Sequence, residues 1–175
     1  MANIRKATAE DIAQAVRIYE HVLDNEEAGK STVGWKRGIY PTAATVENAL
    51  KEDEFFVLED EGEIVAAAVI NQKQGAEYAH ARWKTDAPPE KVMVLHTLAV
   101  DPAKGGHGYG TSFVNFYEEY AKQHGCPYLR MDTNAKNTPA RRLYNRLGYE
   151  ECDIVPCSFN GIDGVMLVCM EKVLK

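Results

Sequence analysis

A glycine-rich run over residues 104–110 contains the residue types that point most directly to chemistry. It follows an apolar, strand-like segment, Val92–Val100, and precedes an amphipathic, helix-like segment over residues 113–124. Glycines at a strand-to-helix turn let bare backbone N–H groups approach a phosphate, and the helix dipole adds partial positive charge there. The run therefore predicts a site for an anion such as a phosphate ester, with a flexible turn that binds nothing as the alternative.

The run differs from the two common nucleotide-binding loops. No Gly-Lys-Ser/Thr follows it, and the spacing and downstream acidic residue of a dinucleotide-binding turn are missing. A magnesium-binding Ser/Thr or paired acid after the turn is also missing, which disfavours a nucleotide-phosphoryl enzyme.

The composition narrows the class of protein. The formal net charge is −6 and no basic run is present, so a nucleic-acid partner is not expected. No apolar stretch approaches a membrane span or a secretory signal, which predicts a cytoplasmic protein without a membrane partner. The four cysteines show no Cys-x-x-Cys spacing, so neither a metal site nor a disulfide framework is expected. Residues 1–175 are expected to form one domain.

Apolar periodicity predicts strands and helices in mixed order. Strands are predicted over residues 4–6, 55–59, 64–70, 92–100, 128–133, 150–159 and 165–173. Helices are predicted over residues 9–25, 43–51 and 113–124, and from Pro139 to the residue before Gly148. The unbroken apolar run over residues 64–70 indicates a strand covered on both faces. Residues 71–91 show no periodicity, and a connection of that length is usually functional or mobile.

Two further strings flank the glycine-rich turn, at residues 96–102 and 137–149. Together the three resemble the GNAT superfamily of acyl-CoA-dependent N-acetyltransferases. The likeness covers nearly the whole chain, because the opening residues 4–11 and the order of elements also match. One departure is visible: the family's Arg or Gln two residues before the x-Gly-x-Gly core is Gly105 here. A side-chain contact to the pyrophosphate is therefore not expected at that position, whereas the backbone cradle is intact.

The resemblance implies an α+β fold: a mixed, mostly antiparallel sheet of six or seven strands flanked by about four helices. Two neighbouring parallel strands splay apart and hold acyl-CoA, with the pantetheine arm on the fourth strand and the pyrophosphate on the glycine-rich turn. The cofactor-binding residues implied in this way are Leu98, Ala99, Val100, Gly105, Gly106, His107, Gly108, Tyr109, Gly110, Thr111, Asn137, Ala140, Arg141 and Tyr144.

Tyr144 matches the family tyrosine whose hydroxyl protonates the departing thiolate of CoA. A core tyrosine whose hydroxyl only needs a partner is the alternative. His96 is polar within an apolar strand and matches a base of the similar serotonin N-acetyltransferase, although a structural histidine fits equally well. Asp132 matches a base of the similar ribosomal-protein N-terminal acetyltransferases, or orients the acceptor amine. A water relay without a dedicated base remains open.

The acceptor site is expected in two variable segments, residues 26–42 and 71–91. They contribute the aromatic residues Trp35, Tyr40, Tyr78 and Trp83. These side chains fit a small amine or a peptide N-terminus, and they also fit a role as loop anchors. The acidic net charge favours a cationic acceptor at long range.

The expected activity is transfer of an acetyl group from acetyl-CoA to a primary amine by direct attack in a ternary complex. No Cys or Ser lies in a recognisable nucleophile setting, so an acyl-enzyme is not required. The alternative is a module of the same fold that binds acyl-CoA as a sensor or scaffold without turnover. A homodimer is expected by analogy with relatives.

Overall fold

Seven strands form one mixed sheet in the order β1-β2-β3-β4-β5-β7-β6 in the computed structural model, which describes residues 1–175. The strands are β1 (Asn3–Lys6), β2 (Phe55–Asp60), β3 (Glu63–Asn71), β4 (Val92–Val100), β5 (Tyr128–Asn134), β6 (Glu150–Phe159) and β7 (Ile162–Val173). The helices are α1 (Ile12–Glu27), α2 (Ala43–Lys51), α3 (Tyr109–Gln123) and α4 (Thr138–Arg146). Only β4 and β5 pair in parallel. The predicted fold class is confirmed.

The core lies on both faces of the sheet. Because successive strand residues point to opposite faces, Phe55 and Val57 pack with α1 and α2, whereas Phe56 and Leu58 pack with α3 and α4. Strand β3 is buried from Ile64 to Ile70, as its unbroken apolar run predicted. None of the helices combines the length and apolar character that crossing a membrane requires.

Three predicted boundaries were wrong by three or four residues. Helix α1 begins at Ile12 and not at residue 9, because residues 9–11 form a 3-10 turn. Helix α3 begins at Tyr109 and not at residue 113, because its first turn is polar and glycine-rich and shows no apolar periodicity. The last hairpin turns on two residues, Asn160 and Gly161, and not on five. Both have positive φ, 51° and 79°, which suits a two-residue hairpin turn. Gly164, at φ 71°, instead forms an irregularity inside β7.

A buried ion pair anchors the long connection between β3 and β4. The Arg130 guanidinium lies 2.8 Å from the Glu171 carboxylate, and their side chains are only 6% and 2% exposed. Arg130 also donates to the Gln74 amide oxygen (2.7 Å) and the Thr85 carbonyl (3.0 Å). Glu171 accepts hydrogen bonds from the Thr85 backbone N–H and hydroxyl. The connection is therefore fixed at two points to the sheet.

We predict that Glu171→Gln lowers the free energy of unfolding by about 3 kcal/mol, because it leaves the buried Arg130 charge without a counter-charge. Urea unfolding measures the change. Glu119→Gln is the control, because Glu119 is an exposed partner of Lys122 and its loss should leave the midpoint unchanged. Equal midpoints for the two variants would contradict the prediction.

Candidate active site

The parallel ladder between β4 and β5 stops partway along the strands. Paired residues run from Val92 and Tyr128 to Leu95 and Met131, and no pair follows. Just beyond, Thr97 adopts φ 52°, a conformation that β-branched residues rarely take, and the register with β3 shifts. Strain of this kind clusters at functional sites.

The splay leaves one edge of β4 free. The Asp101 N–H donates to the Val65 carbonyl on β3 at 2.9 Å. Because successive residues of a strand direct their backbone groups to opposite edges, the N–H and C=O groups of Leu98 and Val100 point into the gap. A ligand lying along the gap can pair with them in the manner of an added strand.

The gap opens into a cleft of about 960 Å³, a volume suited to a small organic ligand. Its floor and walls come from β4, the end of β5, α4 and the connection between α1 and α2. The predicted residues that line it are Trp35, Tyr40, Tyr78, His96, Leu98, Ala99, Val100, Asp132, Asn137, Ala140 and Tyr144.

The glycine-rich turn follows the end of the cleft at Pro102. Gly106 and Gly108 have φ 85° and 74°, and a Cβ at either would meet nothing within 4 Å, so the space over the turn is open. The first N–H groups of α3, from Tyr109 to Thr111, have no acceptor inside the helix. Open space and unpaired donors at a helix N-terminus suit a phosphate group.

Residues 12–149 match the profile of the acetyltransferase (GNAT) family. The chain belongs to this family. GNAT acetyltransferases use acetyl-CoA.

Two relatives are similar in sequence over part of their length. An uncharacterized N-acetyltransferase of Methanocaldococcus jannaschii is 33% identical over 104 residues, which are 59% of this chain and 42% of the relative. An uncharacterized N-acetyltransferase of Bacillus subtilis is 34% identical over 62 residues, or 35% of this chain and 42% of the relative. The matched segments thus span less than half of either relative.

Solved structures share the fold over nearly the whole chain. A GNAT-family acetyltransferase of Streptococcus agalactiae has a TM-score of 0.84 at 22% identity, covering 99% of this chain and 96% of its own. A Salmonella typhimurium protein solved with its cofactor acetyl-CoA has a TM-score of 0.71 at 17% identity, covering 99% and 94%.

Helix α4 of the GNAT domain presents Tyr144 to the cleft. The side chain is 7% exposed, and its hydroxyl has no hydrogen-bond partner in the chain. Burial, assisted by the negative charge of Asp132, raises the pKa of Tyr144. The hydroxyl is therefore protonated at neutral pH and free to donate to a ligand.

Asp132 is the first residue of β5 beyond the segment that pairs with β4, and it is half-buried in the cleft. The Tyr78 hydroxyl donates to its Oδ2 at 2.7 Å. Burial raises the pKa of Asp132 to about 6 against the opposing effect of this hydrogen bond, and the charge of Glu77 raises it further. The carboxylate is thus poised to accept a proton near neutral pH.

His96 lies on β4, with its Nε2 2.8 Å from the Asn71 Oδ1. The Asn71 Nδ2 donates a hydrogen bond to the Glu54 carboxylate at 2.9 Å, which fixes the orientation of the amide and directs its Oδ1 toward His96. Because an amide oxygen can only accept, the His96 Nε2 carries the proton and donates it. Burial lowers the pKa of His96 to about 4. The imidazole is therefore neutral at neutral pH, and its Nε2 is engaged in the hydrogen bond to Asn71. Its lowered pKa makes it a weaker base than the Asp132 carboxylate, whose pKa is raised.

Two predicted residues have other contacts. The Trp83 indole N–H donates to the Tyr78 carbonyl at 2.9 Å, and the Arg130 guanidinium lies 4.2 Å from the ring. Trp83 therefore anchors the loop behind the cleft, one of the roles that the sequence left open. Arg141 forms a two-point ion pair with Glu151, with both N–O distances 2.7 Å. Arg141 does not line the cleft, and its guanidinium is engaged by Glu151.

Three of the residues that shape the cleft were missed at the sequence level. Thr97 sits at the bulge, while Glu54 and Asn71 orient His96. The pair lies 17 residues apart across a hairpin, so no local pattern marks it. No group of three or more His, Cys, Asp or Glu side chains in the chain is arranged to hold a metal ion.

We predict that acetyl-CoA and CoA raise the melting temperature of the protein, whereas ATP and NAD do not. Ligand binding adds about 2.7 kcal/mol of stability at a hundredfold excess over the dissociation constant. Gly108→Val should abolish this shift, because its side chain would occupy the open space over the turn.

Gly29→Val is the matched control, since Gly29 has φ 71° and equally open surroundings but lies after α1. Both variants carry the same backbone strain, so both should melt earlier, and only Gly108→Val should lose the response to CoA. An intact response in Gly108→Val would place the pyrophosphate elsewhere.

Proposed function

We propose that this GNAT domain transfers an acetyl group from acetyl-CoA to a primary amine by direct attack in a ternary complex. The observation that carries the proposal is the meeting of three features in one cleft: a free strand edge, the unpartnered hydroxyl of Tyr144 and the Asp132 carboxylate, which has no cationic partner. Acetyl-CoA supplies the activated acyl group when bound.

The chain offers two backbone sites for acetyl-CoA. The free groups of Leu98 and Val100 suit the amides of the pantetheine arm, and the N–H groups from Gly106 to Thr111 suit the pyrophosphate. Asn137 begins α4 by accepting from the Ala140 N–H at 3.4 Å. It thereby holds the first turn of the helix that presents Tyr144.

Asp132 is the proposed base. The acceptor amine must lose a proton before or as its nitrogen attacks the thioester carbonyl carbon. Asp132 lies in the cleft, has a raised pKa and has an Oδ1 that no donor of the chain contacts. We assign His96 a positioning role on β4, because its Nε2 is already hydrogen-bonded and its pKa is lowered.

Tyr144 is the proposed acid. When the new C–N bond has formed and the C–S bond breaks, negative charge collects on the CoA sulfur. The Tyr144 hydroxyl gives its proton to that sulfur, and the proton that the new amide nitrogen sheds restores Tyr144 through solvent. Asp132 releases to solvent the proton that it took from the ammonium group. An alkylammonium ion and acetyl-CoA thus give the N-acetylated amine, the CoA thiol and one proton, so the atoms and charges balance.

We predict that Tyr144→Phe lowers the single-turnover rate by about 10- to 1,000-fold, equivalent to about 1.4 to 4 kcal/mol of barrier. The ring and its edge-on packing against Tyr149, with centroids 6.1 Å apart, are retained. CoA affinity and melting temperature should therefore stay near the wild-type values. Thiol release from acetyl-CoA with a mixed amine library measures the rate.

Normal turnover together with a lower melting temperature in Tyr144→Phe would indicate a core tyrosine and contradict the assignment. If the wild-type protein binds acetyl-CoA but releases no thiol with any amine, the sensor or scaffold alternative is favoured instead.

We predict that kcat falls as the pH drops through about 6, because Asp132 accepts a proton only as the carboxylate and its pKa is raised to about 6. Asp132→Asn should remove this limb and lower kcat by about a hundredfold. His96→Gln should keep the limb. If kcat instead falls only near pH 4, and this fall disappears in His96→Gln, then His96 is the base, since its pKa is lowered to about 4.

A further inference from the structure

Two of the carboxylates that line the cleft have no cationic partner in the chain. The side chain of Asp132 accepts a hydrogen bond only from the Tyr78 hydroxyl, and Glu77 forms no ion pair. Both are half-buried. By contrast, the nearby Glu54 pairs with Lys73 at 3.0 Å. Glu77 and Asp132 both line this cleft, and Glu77 directly precedes Tyr78, whose hydroxyl contacts Asp132.

A half-buried carboxylate without a partner is costly, because it loses water without gaining a counter-charge. The reacting amine loses its positive charge at Asp132, so it cannot also form an ion pair with Glu77. A second cationic group on the acceptor would remain protonated through the reaction. Such a group would give Glu77 the counter-charge that the chain itself does not supply.

Residues 33–40, here called the bridging segment, limit the size of the acceptor. Gly34 lies against the end of β5, since a Cβ there would be 2.4 Å from the Asn134 amide nitrogen. The Tyr40 hydroxyl contacts the Thr97 hydroxyl on β4. Ile39 meets the β6–β7 turn, where a Cβ on Gly161 would be 3.2 Å from its Cγ2. The segment thus touches both splayed strands and the last hairpin.

The base of the bridging segment is also held in place. The backbone N–H groups of Val33 and Gly34 donate to the Glu26 carboxylate at 2.9 and 3.0 Å. Its inner side presents Trp35 and Tyr40, whose rings pack edge-on at 6.2 Å. A crossing segment leaves little room for a polypeptide, and its aromatic surface suits a short hydrocarbon chain.

On the basis of the function proposed above, we propose that the acceptor is a compact aliphatic amine with a second cationic group, such as an α,ω-diamine. One nitrogen reacts beside Asp132 while the other stays protonated against Glu77. The methylene chain between them lies along the aromatic surface of the bridging segment.

The test compares initial rates for the diamine series from diaminopropane to diaminohexane, for n-butylamine and for an unmodified tetrapeptide. The best diamine should exceed n-butylamine in kcat/KM by about tenfold or more, and the tetrapeptide should be inactive. Glu77→Gln should raise KM for that diamine by about tenfold with little change in kcat, and leave n-butylamine unaffected.

The matched control is a Glu→Gln change outside the cleft. Because Glu52 itself lines the cleft, the variant used is Glu119→Gln: Glu119 is exposed, pairs with Lys122 and does not line the cleft, so its loss should change the rate with neither substrate. An acetyl-CoA melting shift equal to that of wild type shows that Glu77→Gln keeps the cleft intact.

Three results would overturn the proposal while leaving acetyl transfer itself standing: equal rates for n-butylamine and the diamines, preference for the tetrapeptide, or an unchanged KM in Glu77→Gln. Absence of transfer to every amine by a protein that still binds acetyl-CoA would overturn this proposal and the proposed function together.

Discussion

The end of the β4–β5 ladder at Leu95 and Met131 is the constraint on which the rest of the site depends. Buried backbone N–H and C=O groups need partners, and two parallel strands that part inside a covered sheet leave such groups open. The bulge at Thr97 directs β4 away from β5, and the cleft fills the space between them. Helices α3 and α4 then place a turn of free N–H groups and Tyr144 around the same gap.

Burial acts on the two candidate bases in opposite directions. Low polarity disfavours a charged group, so it raises the pKa of the Asp132 carboxyl and lowers that of the His96 imidazole. The same effect keeps the Tyr144 hydroxyl protonated. The cleft therefore holds a carboxylate whose pKa is raised toward neutrality and a tyrosine hydroxyl that stays protonated, which are the two groups that the proposed acid and base roles require.

The sequence allowed most of the fold to be predicted, because periodicity and glycine positions are local signals. Strand β4 and helix α2 were predicted with their observed bounds, and the glycine-rich turn was placed between the correct elements. The contacts that escaped prediction join distant residues. The Tyr78 hydroxyl contacts Asp132, which is 54 residues away in the sequence. The residue type also does not show that Tyr78 lines the cleft whereas Trp83 anchors the loop, because their burial in the fold decides this.

Backbone amide hydrogen exchange with and without acetyl-CoA tests the central claim, that the open edge of β4 and the first turn of α3 are the cofactor site. Acetyl-CoA should slow exchange at Leu98, Val100 and residues 109–111 and leave exchange in the β5–β7 ladder unchanged. Unaltered exchange at Leu98 and Val100, with protection appearing at another surface, would contradict it.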